Sequence, residues 1–125
     1  MNFRLFNKAK NAYTKAYPDA DWFLGDDGAI LELSNLGETT WHSKNDFEVE
    51  PYTGYRDVNG NKIYRGDILG SVDGMSMITP YKATVVWREG AFMCEETDGS
   101  AMPLDLDNRI WKRHIVIGNI HGVDW

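Results

Sequence analysis

Three histidines, one cysteine, five scattered serines and two adjacent acid pairs are the side chains of this 125-residue sequence with the means to do chemistry. A structural zinc needs about four ligands at characteristic spacings. His114 and His121 with Cys94 fall one short unless an acid joins them, and His42 lies far off in the chain. Ser-His-Asp hydrolysis needs a nucleophile presented on a sharp turn. Ser34, Ser43, Ser71, Ser76 and Ser100 sit in polar stretches without that context. Asp26-Asp27 and Glu95-Glu96 are sequence neighbours. On a strand, neighbours point to opposite faces, so Glu95 and Glu96 cannot share one cleft. A phosphate-cradling Gly-x-x-x-x-Gly-Lys-Ser/Thr run is absent from the sequence. The expectation is a protein that is not an enzyme, with no catalytic set, no metal and no cofactor.

Recognition chemistry is better represented. The chain holds five Trp, six Tyr and five Phe, and Tyr, Trp and Arg dominate binding hot spots. Tyr52, Tyr55 and Arg56 lie in a turn-rich block, and Tyr64 and Arg65 stand just before Gly66-Asp67. Trp111, Lys112 and Arg113 precede an apolar run, and Trp125 is the last residue given. Of these, Tyr52, Tyr55, Arg56, Tyr64, Arg65, Trp111, Lys112 and Arg113 are the candidate binding residues. A structural role competes for the same positions. In it, Tyr52 and Tyr64 pack on the fold, Gly54, Gly60 and Gly66 make its turns, and Asp67 accepts backbone N–H bonds at a strand start. Phe92, alternating with Cys94, and Trp87, after two valines, read as inward-facing, with Cys94 a buried thiol.

The elements that must position these residues are announced by their turns. Asp27-Gly28, Asn59-Gly60, Asp73-Gly74, Glu89-Gly90 and Asp98-Gly99 punctuate short β-prone runs. Residues 22–33 read as a hairpin about Asp26-Asp27-Gly28. Lys82–Trp87 and Ala91–Glu95 read as a second, about Arg88-Glu89-Gly90. Ile115–Ile120 reads as a closing strand with Gly118 as a bulge. The first seventeen residues fit an amphipathic helix loosely and strand, turn, strand about as well; Pro18 ends either. Ser71 to Pro80 reads as a mobile loop. Closely spaced turns with little helical periodicity predict a mainly β fold, or a β-rich α+β one, closed as a small barrel that removes strand edges.

Bulk properties narrow the partners. The length suits one domain with a real core. The net charge of -6, with 13 basic residues scattered along the chain, disfavours nucleic acid and anionic membranes. A lone cysteine gives no internal disulfide. No run approaches the ~18 apolar residues of a membrane span, and the opening residues lack the apolar core of a signal peptide. A cytoplasmic location is expected.

The block Pro51-Tyr-Thr-Gly-Tyr-Arg-Asp-Val-Asn-Gly-Asn-Lys-Ile-Tyr-Arg-Gly-Asp-Ile-Leu69 resembles the signature of the YopX family of phage and prophage proteins. Ala83-Thr-Val-Val-Trp-Arg-Glu-Gly-Ala-Phe92 is similar to that family's valine-rich strand, turn and Gly-x-Phe. Ile115-Val-Ile-Gly-Asn-Ile-His121 is similar to its closing motif, and Phe3-Arg-Leu-Phe-Asn-Lys8 to its opening. The opening likeness favours strand, turn, strand over a helix. Gly122-Val-Asp-Trp125 departs from the acidic tail usual in the family. The resemblance implies a phage origin in a host bacterial cell, a single domain over 1–125 and an SH3-like barrel flavour, with residues 1–50 an N-terminal β-hairpin region and 51–125 the barrel-like core. It implies no activity, and fold alone would supply none. The resulting expectation is an accessory protein that binds a host protein. The alternatives are a nucleotide-like small molecule, with rings on the base and Arg56, Arg65 or Arg88 on phosphate, and a nucleic-acid-binding barrel. A homo-oligomer is also expected, from the many strand edges and aromatics.

Overall fold

The computed structural model describes residues 2–16, 20–71, 82–104 and 114–125. Most of them lie in twelve short strands, so the mainly β expectation holds. Contacts divide the chain into two units: Phe3–Glu50 with Val123–Trp125, and Pro51–Gly122 with the first two residues.

In the N-terminal unit, β1 (Phe3–Asn7) turns back onto β2 (Ala12–Tyr13), pairing Phe6 with Tyr13 and Asn7 with Ala12. The opening segment is therefore strand, turn, strand and not a helix. Consecutive Arg4, Leu5 and Phe6 are all buried, so both faces of β1 are covered. A second group of strands forms a meander: β3 (Ala20–Leu24), β4 (Ile30–Ser34) and β5 (Thr39–His42). Alternation then decides which side chains go inside. Trp22 and Ile30 point to the core and join Leu5 and Phe47 in one apolar cluster, edged by Phe3, Ala20 and Val49. Burying each such side chain contributes about 1.5–3 kcal/mol. Ser43 caps a short 3-10 turn by accepting from the Asn45 amide, and β6 (Phe47–Arg56) follows.

In the C-terminal unit, the second half of β6 pairs with β7 (Lys62–Tyr64). Five more strands form an antiparallel, curled half-barrel sheet in the order β11-β10-β9-β8-β12. They are β8 (Asp67–Ser71), β9 (Lys82–Arg88), β10 (Ala91–Glu95), β11 (Ala101–Pro103) and β12 (His114–Asn119). Leu69 pairs with both Ala83 and Val116, and Cys94 with Val85 and Met102. Those rows build a dry cluster of Ile63, Leu69, Ala83, Val85, Cys94 and Leu104, with Phe92 packed against it. Cys94 is thus the expected buried thiol. The register of β12 against β8 slips between Val116 and Gly118, where the bulge was expected. Trp87 corrects the reading: it is 55% exposed, with its ring edge-to-face on Phe92 at 4.8 Å. It lies at the end of the strand, past the depth of the core, so alternation gives its direction but not its burial. The expected mobile loop lies outside the described residues apart from Ser71, which ends β8.

One turn recurs through both units. In residues 25–29, 34–38, 57–61 and 96–100 the amide of the first residue donates to the carbonyl of the fifth, and the amide of the fourth donates back to the carbonyl of the first. The fourth residue is glycine each time, at Gly28, Gly37, Gly60 and Gly99. This is a type I turn closed by a left-handed residue. At Gly60, φ is 83°, which a side chain resists. The β9–β10 hairpin instead uses the two-residue turn Glu89-Gly90, with φ of 55° and 81°.

Candidate functional site

The signature block builds a hairpin before it builds anything else. Asp57 is buried, and its carboxylate staples its own turn to β12. Oδ1 accepts from the amides of Asn59 (3.0 Å) and Asn61 (2.8 Å), while Oδ2 accepts from the amide of Val116 (3.1 Å), 59 residues on. Asp67 accepts from the Tyr64 amide at 2.7 Å, the strand-start role expected of it. Thr53 donates its hydroxyl proton to the Ile63 carbonyl across the same hairpin at 2.7 Å. Asp57 went unmarked at the sequence level. The signal available was its place four residues before Asn61 about a central Asn59-Gly60, the geometry of an Asx-type turn.

The candidate recognition residues meet different fates. Tyr64 is buried (5% exposed), in keeping with the structural role weighed for it and not with recognition; its ring lies 5.8 Å from that of Tyr52. Tyr52 is half-buried and carries the Lys62 ammonium 5.0 Å above its ring. Tyr55 packs against the apolar cluster. Arg56 is exposed, and its guanidinium donates to the Gly60 carbonyl at 2.7 Å, closing the turn. Arg65 is half-buried and its amide donates to the Pro51 carbonyl. Trp111, Lys112 and Arg113 lie outside the described residues.

Two arrangements were not foreseen. The first is a charged network inside the N-terminal unit. Arg4 Nε donates to Glu50 Oε1 at 2.6 Å, and the Tyr13 hydroxyl donates to the same oxygen at 2.7 Å, with all three side chains essentially without solvent contact. The Arg4 guanidinium lies 4.6 Å from the Tyr13 ring centre and 5.4 Å from that of Trp125. Lys15 sits 4.6 Å over the same indole, which meets Tyr13 edge-on at 5.2 Å. These contacts tie Trp125 into the unit that opens the chain.

The second is a bare apolar row. Phe23 pairs with Leu31, and Leu31 with Trp41, across β3, β4 and β5. The three alternate with the inward residues Trp22 and Ile30, so they share the opposite face. Phe23 is 49% exposed and Trp41 64%. A row of rings and a branched aliphatic chain on one sheet face can desolvate against another surface. It offers no acid, base or nucleophile for bond making.

The sequence matches the family model described as YopX protein over residues 2–122. Two solved structures share the fold. Protein EF1440 from Enterococcus faecalis is 18% identical, with a TM-score of 0.65 over 97% of this chain and 93% of its own. Protein yopX from Bacillus subtilis is 15% identical, with a TM-score of 0.61 over 97% and 94%. Among curated protein sequences none matches. The family match covers the opening strand, the stapled hairpin and the closing strand alike, and on that ground the chain belongs to the YopX family.

Proposed function

We propose that this chain is a non-enzymatic phage accessory protein that works in the bacterial cytoplasm by binding a protein of the host. The observation that carries this reading is the row Phe23–Leu31–Trp41. Phe23 and Trp41 are exposed on one sheet face, with Leu31 half-buried between them; rings so placed are costly to leave in water and are the anchors from which protein interfaces are built. The nucleotide-ligand alternative has less support. Tyr55 is committed to packing and the Arg56 guanidinium to a turn carbonyl.

The test is capture from bacterial lysate, with the wild-type chain and the Phe23→Ser/Trp41→Ser double variant compared side by side. A host protein held by the wild type and lost from the folded variant is the expected result. Capture that is indifferent to the two substitutions overturns the proposal.

A further inference from the structure

The apolar row stands in a stretch of sequence of one charge sign, with Lys44, which packs against Gly28 of the β3–β4 turn, a cation beside it. From Ala20 to His42 there are five acids, Asp21, Asp26, Asp27, Glu32 and Glu38, and no Lys or Arg. The acids surround the row without interrupting it. Asp21 is exposed two residues before Phe23 on the same strand and face, opposite Leu33. Asp26 and Asp27 form the exposed β3–β4 turn, and Glu38 stands at the entry to β5. Glu32 lies on the other face, where His42 Nε2 meets it at 2.9 Å.

We infer that this sheet face docks a basic protein surface, one whose own apolar patch is rimmed by Lys or Arg. The inference rests on the binding-protein reading above and adds the chemistry of the partner. An apolar centre supplies the desolvated contact, and a predominantly acidic rim selects among partners and speeds their encounter. A second copy of this chain fits badly. Two such faces brought together would set Asp21, Asp26, Asp27 and Glu38 of each against those of the other, and like charges at a rim repel. An acidic or neutral partner would gain the centre and lose the rim.

The test uses two synthetic amphipathic peptides of the same apolar pattern, one of Leu and Lys, the other of Leu and Glu, labelled for fluorescence anisotropy against the full chain. The Leu/Lys peptide binds and the Leu/Glu peptide does not. Binding of the first weakens about tenfold as salt rises from about 50 to 300 mM, because the Debye length shrinks below the spacing of rim charges. Asp21→Lys/Glu38→Lys weakens it by a similar factor, and Phe23→Ser/Trp41→Ser abolishes it. Equal binding of both peptides, binding of the Leu/Lys peptide that survives loss of the two rings, or a wild-type dimer that the ring variant turns into monomer each overturns the inference. If ring-dependent capture of a host protein persists while the Leu/Lys peptide shows no preference, the charge inference fails and the binding-protein reading stands. If capture ignores the rings, that reading fails first.

Discussion

The two units solve the problem of a small core in opposite ways. Among the described residues, the C-terminal unit builds its centre from six apolar residues and keeps its buried carboxylates, Asp57 and Asp67, on backbone amides. The N-terminal unit has four described residues in its apolar cluster and buries an ion pair. Apolar burial in the first tolerates small changes of shape. The ion pair in the second gives less net stability, because desolvating two charges offsets most of their attraction, yet it is far less tolerant of losing one member. The N-terminal unit also leaves a row of large apolar side chains outside. Its sheet is therefore the poorer fold and the better surface.

Substitutions can break or sharpen this contrast, with hydrogen exchange of strand amides reporting each unit separately. Glu50→Ala has the largest expected effect, a loss of about 3–5 kcal/mol for taking the carboxylate from a buried guanidinium, read in β1 and β2. If Arg4→Met/Glu50→Leu is as damaging as the single change, the ion-pair account is wrong, since well-packed apolar replacements are often neutral. Leu69→Ala comes next, at about 2–5 kcal/mol for the cavity it leaves, read in β8 and β9. Asp57→Ala should cost about 1–3 kcal/mol by leaving amides of the turn and of β12 unbonded, with Val116 losing protection first. The smallest effect belongs to Asp98, on the surface. Its carboxyl is held below the usual carboxylate range by the Ser100 hydroxyl first and the Ser100 amide second. A lowered folded pKa means that its contribution is present above the unfolded value, about 3.9, and is lost as pH falls through the folded one. Asp98→Asn should flatten a slight acid-side slope in stability, with a small loss at neutral pH that vanishes in strong acid.

Much of the fold was legible because its signals are local. Asp27-Gly28, Glu89-Gly90 and Asp98-Gly99 each make the turn they announce, and Gly118 makes the bulge. Leu36-Gly37 forms the same kind of turn without announcing it, since Leu36 carries no turn preference; the Ser34 hydroxyl does that work, accepting from the amides of Leu36 and Glu38. The candidate site was legible only in part. Trp87 left its expected environment, and Tyr64 took the packing role rather than the recognition role, because burial depends on what lies across the sheet, which neighbouring residues do not reveal. Arg4 and Glu50 are 46 positions apart, so only the folded chain brings them together. The row of Phe23, Leu31 and Trp41 hid in plain composition. Trp22-Phe-Leu24 is apolar throughout, and only strand register tells its two faces apart.

Four hairpins that reverse on the same hydrogen-bond plan amount to interchangeable fittings. Two residues at each tip carry neither of the plan's backbone bonds, and at one of them Leu36 stands 83% exposed. Mutation can rewrite such tips at little thermodynamic risk while the strands behind them hold their pairing. The scaffold can thus acquire new surface lettering tip by tip, and a dye, tag or grafted peptide placed between Ser34 and Gly37 would ride on it without asking the strands to move.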